Sequence, residues 1–404
     1  MWTQWLLGIL VLAAIIGLVY ANLQFARFLP GGSEFLAHWT AASGWLREGL
    51  NPYLPEMMLR VQEKLYGRAA DPQQGEIMGA YLHPFPSLFL YVPFSLVPYP
   101  IARAIWMTLL EISLPLTAAL SLIASRSPSN RMSLVPLLLF SVLWLPGLLE
   151  ILTGGSLPLV VLLISGAMYA LRKENDPLAG ILLGLSLFIP WVSFPAVLFI
   201  SFWSMSVRRW QTPLWTLAIS GSLTILSILL QPDWVQWWLI QLVMVAKHGG
   251  LSTGVGLLQS SATPLTRFIP WIVGIAILAY LLFEWFLASR KMFRWGMWTM
   301  AVTTVMTIPI IPVLGQEAHV LLIPAISLVI ALSSERWGRM GRKLGLALLL
   351  LLLSASWLIE LRVPLSHFGR LLATWSAPSM LLVCLWWVRW GITHRSLQMI
   401  EQDW

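Results

Sequence analysis

Carboxylates and histidines that could exchange protons are few in this chain, and they gather in a small number of polar stretches. The first stretch, Ser33 to Tyr53, opens with Glu34 directly after the turn Gly31-Gly32. A carboxylate placed there can point into a crevice between helices, where loss of water moves its pKa toward that of a useful general base. The alternative is a solvated charge on a surface helix.

A second polar stretch, Gly315 to His319, lies among prolines and is flanked by apolar segments. Ionisable groups at the mouth of an apolar helix are costly, so they favour a functional interpretation. We expect Glu317 and His319 to pair with each other or with Glu34, and Gln316 to lie beside them. An ordinary hydrated loop is the alternative.

A third set is cationic and would suit an anionic substrate group such as a phosphate. We expect its members on the outer side of a membrane. Cations are unusual there, because short loops rich in Lys and Arg normally stay in the cytoplasm. Contact with lipid headgroups is the alternative for each of them. His83 follows Tyr81 and is expected to line the same crevice, unless it is a structural histidine at a helix start. The cationic residues are Lys247, His248, Arg267, Arg362 and Arg370.

Several kinds of chemistry are disfavoured by what the sequence lacks. Its four aspartates form no paired motif, so a divalent metal held by two of them is not supported. The one cysteine, Cys384, lies in an apolar run and allows no disulfide framework. No glycine fingerprint for nucleotide binding is present. We therefore expect neither a metal nor a cofactor.

The composition indicates a membrane protein. Of the 404 residues, 58% are apolar and only 10% are charged, whereas about a quarter of the residues in a globular protein are charged. Apolar runs long enough to cross a bilayer must be helical, because lipid offers the backbone no hydrogen bonds. The net charge of +8 is taken as a topology signal, and no nucleic-acid partner is expected.

The chain is predicted to be an all-α polytopic membrane protein, with residues 1–404 forming a single transmembrane domain. Thirteen apolar segments would place the two termini on opposite sides. One early segment, 85–97 or its partner after Pro100, is therefore expected to be short or re-entrant, leaving about twelve crossings. The segments are 4–22, 85–97, 101–124, 132–150, 156–171, 177–190, 192–207, 213–230, 269–288, 296–312, 318–332, 343–360 and 376–390.

Basic residues at every second loop place those loops, and both termini, in the cytoplasm. Residues 21–80 and 231–263 are then external loops. In the first, helical spacing predicts an amphipathic helix lying on the membrane surface, with Glu34 and His38 away from its apolar face. In the second, Trp234, Trp237 and Trp238 are expected to face lipid.

Taken in chain order, these motifs resemble glycosyltransferase family 87. The similarity consists of an acid, an aromatic, a Trp-Xaa-Ala-Ala helix and a Gly-Xaa-Asn-Pro-Tyr ending, followed by a proline-rich entry, a glycine loop and a late histidine before a proline. These elements are Glu34-Phe35, Trp39 to Ala42, Gly49 to Tyr53, Tyr81 to Trp106, Leu152 to Leu159 and Pro312 to Pro324.

The resemblance implies a GT-C fold and transfer of a hexose, most often mannose, from a polyprenyl-phosphate donor to a lipid or glycan acceptor on the outer face of the cell membrane. It implies inversion at the sugar and no metal. The catalytic acid of the family, usually aspartate, falls on Glu34, and the late histidine falls on His319. The residues expected to bind the donor phosphate or substrate are Lys247, His248, Arg267, His83, Gln316, Glu317, Trp39, Asn51, Tyr53 and Arg362.

Two departures from the family pattern bear on donor binding. Gly154-Gly155-Ser156 lacks the usual glutamine, and Ile189-Pro190-Trp191 lacks a lysine often found there. The expected enzyme is a monomeric hexosyltransferase in which Glu34, oriented by His319, removes the acceptor proton. The alternative is a lipid or solute transporter, although we find no internal repeat of the kind that transporters usually show.

Overall fold

The computed structural model describes residues 2–29, 31–71, 76, 78–125, 130–247, 253–258, 267–311, 316–363 and 366–389. Within those residues all regular structure is helical. Three 3₁₀ helices cover Phe85–Ser87, Gly256–Leu258 and Glu317–Leu322. The α-helices are α1 (Trp2–Phe28), α2 (Ser33–Glu48), α3 (Pro55–Tyr66), α4 (Leu88–Ser95), α5 (Tyr99–Ala124), α6 (Asn130–Leu143), α7 (Leu145–Thr153), α8 (Leu157–Arg172), α9 (Asp176–Ser186), α10 (Pro190–Ser206), α11 (Gln211–Leu230), α12 (Trp234–Lys247), α13 (Ile269–Ala288), α14 (Phe293–Thr307), α15 (Ile323–Trp337), α16 (Arg339–Arg362) and α17 (His367–Val388).

In the described part of the chain, seven helical segments are long and apolar enough to cross a membrane. They belong to α1, α5, α11, α13, α16 and α17, and to α15 together with the 3₁₀ turn before it. The bent pair α6 and α7 would make an eighth. Shorter apolar helices include α8, α9 and α10. The prediction of an all-helical protein with several membrane spans is confirmed, whereas the number of twelve crossings stays a prediction.

The predicted span at 132–150 is broken, because α6 and α7 meet at an angle of 45°. Pro146 is the second residue of α7, and proline disfavours helical geometry in the residue before it. Gly147 N–H bonds to the Trp144 carbonyl instead, at 3.0 Å. One apolar run of the sequence therefore forms two helices.

Contacts divide the chain into two compact units. The first comprises residues 1–113, 149–156 and 223–250, which include α1 to α4, most of α7 and all of α12. Here α2 packs against both α3 and α4. Leu36 and Ala37 of α2 form a small buried cluster with Val61 of α3.

The second unit comprises residues 114–148, 157–222 and 251–404. Helices α8 and α9 pack as a pair, as do α15 and α16. Helix α14 is buried along almost its whole length and contacts α10, α13, α15 and α17. It is thus the central helix of this unit.

One expectation for the second external loop is wrong in part. Trp234 of α12 is buried, and its ring lies 6.5 Å from that of Phe85. Trp238 Nε1 donates to the Leu82 carbonyl at 2.7 Å. Both indoles therefore pack on the segment that leads into α4, and Trp238 is fixed there because its N–H finds an acceptor in the Leu82 carbonyl.

Candidate functional site

The start of α2 is held by a glycine turn that no other residue type would fill as easily. Gly31 and Gly32 have φ values of 150° and 69°. Gly32 N–H bonds to the Leu152 carbonyl at 3.1 Å, and the Tyr99 hydroxyl bonds to the Gly31 carbonyl at 3.0 Å. A Cβ on either glycine would meet the Arg103 side chain within 3 Å. Glu34, two residues later, therefore starts from a defined position.

The prediction that α2 has an open polar face with both Glu34 and His38 on it is wrong for His38. Residues around most of its circumference are buried, including His38, which was assigned to the polar side. The cause is packing on two flanks at once, by α3 and by α4. Only Glu34 and the last turn of the helix, from Leu46 onward, are exposed.

Phe35 anchors this helix in an aromatic cluster. Its ring stacks on Trp106 at a centroid distance of 5.1 Å and meets Phe94 edge-on at 6.0 Å. Gly154, with φ of 76°, lies so close that a Cβ there would be 2.5 Å from the Phe35 Cβ. Trp106 Nε1 donates to the Gly154 carbonyl at 3.0 Å. The glycine loop after α7 is thus packed directly beneath Glu34.

His38 lies one helical turn after Glu34 and is 3% exposed. Its ring stacks on Tyr91 at 4.4 Å, and Tyr81 meets it edge-on at 5.4 Å. Nδ1 lies 2.6 Å from the Glu34 carbonyl oxygen, which can only accept, so Nδ1 carries the proton. In the neutral ring Nε2 then has the lone pair.

That lone pair faces a second buried histidine. His83 Nδ1 lies 3.1 Å from His38 Nε2, so His83 Nδ1–H is the donor of this bond. Burial lowers the pKa of His38 to about 4. Burial, and then the neighbouring His38, lower the pKa of His83 well below its ordinary value. Both imidazoles are therefore neutral at pH 7.

Glu34 completes the cluster from the solvent side. One ligand atom from each of Glu34, His38 and His83 lies within 4.8 Å of the other two. The Glu34 side chain is exposed, so the predicted enclosure of its carboxylate is not observed. The Tyr91 hydroxyl interacts electrostatically with Glu34 and with buried Glu150. An accessible carboxylate thus stands at the edge of a buried polar cluster.

Contacts within the protein brace this cluster. The Tyr53 hydroxyl donates to the His83 carbonyl at 2.9 Å, and Tyr53 N–H donates to Asn51 Oδ1 at 3.0 Å. Tyr91 and Ser156 hydroxyls lie 2.6 Å apart, and Tyr81 bonds to Ser87. Asn51 and Tyr53, predicted as substrate contacts, therefore hold the backbone of His83.

Trp39, also predicted to bind substrate, makes two contacts inside the first unit. Its Nε1 donates to the Phe94 carbonyl at 3.1 Å. The Lys64 ammonium lies over its ring at 4.8 Å from the centroid. The indole is therefore engaged on both its polar edge and one face.

The second polar stretch of the sequence, which contains Gln316, Glu317 and His319, belongs to the second unit. His319 is buried, and its Nε2 donates to the Thr374 carbonyl at 3.2 Å while its ring stacks on Trp144. Gln316 Nε2 donates to the Ser356 carbonyl at 3.1 Å. Glu317 Oε2 is buried with no hydrogen-bond partner among the described residues. Pairing of Glu317 or His319 with Glu34 stays a prediction.

The predicted cations stand at helix ends with exposed side chains. Lys247 is the last residue of α12 and Arg362 the last of α16, while Arg267 precedes α13 and Arg370 lies in the first turn of α17. His248 lies outside the described residues. Each of the four described cations is open to an anionic headgroup or phosphate.

Sequence reasoning missed His38, Tyr91, Glu150 and Ser156 as members of the site. A signal for His38 was present, because residues four apart lie on the same face of a helix. The sequence carries no such signal for Ser156 or Glu150 as neighbours of Glu34, because only the fold brings the loop after α7 next to α2.

Comparison with known proteins places the chain in a family. The model of glycosyltransferase family 87 matches residues 81–311, more than half of the chain. The matched region contains His83, Tyr91 and Glu150, and it begins after α2. A search of curated proteins found no match. The protein therefore belongs to glycosyltransferase family 87, and it is a membrane-embedded glycosyltransferase.

Proposed function

We propose that the protein transfers a hexose, which we take to be mannose, from a polyprenyl-phosphate donor to a lipid or glycan acceptor, with inversion at the sugar. The observation that carries this proposal is the exposed Glu34 carboxylate at the edge of the buried cluster of His38, His83 and Tyr91. An acceptor hydroxyl can approach such a carboxylate, whereas the neutral histidines behind it are closed to bulk water.

In the proposed step the acceptor oxygen attacks C1 of the donor sugar from the face opposite the phosphate. The bond between C1 and the phosphate oxygen breaks, and the acceptor proton passes to Glu34. A positioned general base typically contributes 10²- to 10⁴-fold to such a rate. Attack opposite the leaving group inverts the configuration at C1.

The departing polyprenyl phosphate is an anion and needs a cationic partner. Lys247 and Arg267 are the proposed partners, because both are exposed at helix ends. The prenyl chain would lie along apolar helix surfaces, where burial supplies about 0.8 kcal/mol per CH₂. His248, Arg362, Gln316 and Glu317 are proposed as further donor contacts.

His319 is proposed to act on substrate rather than on Glu34. Since its Nε2 donates to the Thr374 carbonyl, its Nδ1 carries the lone pair. A lone pair can accept a hydrogen bond from a sugar or acceptor hydroxyl, but it cannot donate one to a carboxylate. We therefore propose a substrate hydroxyl, in place of Glu34, as the partner of His319.

The wider setting completes the proposal. We place the reaction on the outer face of the cell membrane, in a monomeric GT-C-type protein with about twelve crossings and both termini in the cytoplasm. The transfer itself uses the lipid-linked sugar as substrate and draws on no cofactor. Apolar helices long enough to cross a membrane and the family membership support this setting.

Reconstitution separates transfer from transport. Purified protein in liposomes is given polyprenyl-phosphate mannose labelled in the sugar, together with lipids extracted from the native membrane as acceptors. We expect a new labelled glycolipid or glycan to form with time. Movement of the labelled donor between leaflets without any new glycosylated product would overturn the proposal in favour of a transporter.

A further inference from the structure

The side chains of Glu34, His38 and His83 form a set that the proposed transfer step does not fully explain. Two imidazole nitrogens face each other at 3.1 Å, and one ligand atom from each of the three residues lies within 4.8 Å of the other two. We infer that these three residues form a binding site for a divalent transition-metal ion, for which Zn²⁺ is the test ion. Two imidazoles and one carboxylate are a donor set that Zn²⁺ accepts readily.

The separations suit such an ion with little movement. Bonds of 2.0 to 2.1 Å at a tetrahedral angle put two ligand nitrogens about 3.3 Å apart. The nitrogens of His38 and His83 are already within a few tenths of an ångström of that separation. Glu34 is exposed, so its carboxylate can rotate inward to supply the third ligand.

The surroundings orient the rings as ligands. A histidine that binds a metal through one nitrogen usually donates from the other to a carbonyl or carboxylate. His38 Nδ1–H already donates to the Glu34 carbonyl at 2.6 Å, and Tyr91 and Tyr81 hold the ring from two sides. The Tyr53 hydroxyl fixes the backbone of His83. Metal binding would therefore require little further ordering of the two imidazole rings.

Besides the rotation of Glu34, binding requires a change of tautomer at His83 and the loss of its hydrogen bond to His38. Its Nδ1–H now donates to His38, and coordination through Nδ1 moves that proton to Nε2 of the same ring. Both imidazoles stay neutral, and the fourth position of a tetrahedral ion stays open on the exposed side of Glu34. A ligand from solution, such as water, can occupy it.

A consequence for activity rests on the proposed function. The oxygen lone pair of Glu34 that would bind the ion is the one that would accept the acceptor proton. Zn²⁺ at this site should therefore inhibit sugar transfer, and a chelator should restore it. The binding itself is measured without donor or acceptor, so failure of the transfer proposal leaves the binding result intact.

The experiment uses untagged full-length protein in detergent, stripped with a chelator and then titrated with Zn²⁺ in a calorimeter. The variants are Glu34→Gln and His83→Gln, and the matched control is His367→Gln, which removes an exposed histidine at the start of α17. Size-exclusion elution checks the fold of each. Metal analysis after gel filtration measures the bound zinc.

We expect about one zinc per chain for the wild type and for His367→Gln, and affinity weaker by at least about tenfold in each of the two ligand variants. No zinc retained by the folded wild type would overturn the inference. Equal affinity in the wild type, Glu34→Gln and His83→Gln would also overturn it, because the ion would then bind elsewhere.

Discussion

Glu34 and His38 lie one helical turn apart, yet they have opposite environments. The carboxylate is exposed, while the imidazole is buried between two tyrosines. Their spacing in the sequence indicated a shared helix face, but not that the face would be covered. Helix α4 covers this face of α2. The sequence of α4 is an apolar run, which does not indicate the helix that it packs against. Glu34 and His83 were thus candidates from the sequence, whereas the burial of His38 between them and the tyrosines was not predicted.

The Tyr53 hydroxyl is predicted to stabilise the site through the His83 backbone. Tyr53→Phe removes its hydrogen bond to the His83 carbonyl and leaves that buried carbonyl without this donor. We expect a loss of about 1 kcal/mol in stability, seen as a lower unfolding midpoint in detergent. The control Tyr20→Phe changes an exposed tyrosine of α1. An unchanged midpoint for Tyr53→Phe would show that this bond contributes little.

At the scale of elements, the positions of the helices could be predicted better than their limits. Each apolar segment found in the sequence falls on a helix, because apolar runs in a bilayer have no other stable form. Helix α1 continues to Phe28, past the predicted end at residue 22. The burial of α2, and of Trp234 in α12, was missed, since the apolar faces of surface helices and of packed helices look alike in sequence.

The loop after α7 is predicted to position α2 through one glycine. Gly154→Ala would place a methyl group against the Phe35 side chain at a positive φ. We expect a loss of about 1 to 3 kcal/mol and a lower unfolding midpoint.

The control for this loop is Gly221→Ala in α11, where a Cβ would meet nothing within 4 Å. Alanine is the better helix former, so this variant should be neutral or slightly stabilised, by up to about 1 kcal/mol. Equal midpoints for both glycine variants would argue against close packing of the loop on Phe35.

At the scale of the molecule, the second unit is tied together by a buried ion pair. Arg389 donates from both terminal nitrogens to Glu284, whose side chain is fully buried, at 2.9 and 3.1 Å. The guanidinium also lies over the rings of Trp298 and Trp386, each at 4.7 Å. The sequence alone does not indicate this pair, because the two residues lie 105 positions apart.

Removal of one member of this pair is predicted to destabilise the protein more than replacement of both members. Arg389→Gln leaves a buried carboxylate uncompensated, for which we expect about 3 to 5 kcal/mol of destabilisation. The double variant Glu284→Gln with Arg389→Gln should recover part of that loss. Unfolding midpoints in detergent compare the three proteins. The control is Arg60→Gln of α3, which breaks surface ion pairs with Glu48 and Glu56 and should cost little. A double variant no more stable than the single one would contradict this account.

The family and the apolar helices identify a membrane glycosyltransferase, and we propose that one residue, Glu34, accepts the proton. The most direct test is sugar transfer from polyprenyl-phosphate mannose by purified Glu34→Gln, with Glu63→Gln, an exposed glutamate of α3, as the matched control. We predict that transfer falls about 10²- to 10⁴-fold in Glu34→Gln and is unchanged in Glu63→Gln. Undiminished transfer by folded Glu34→Gln would contradict the account.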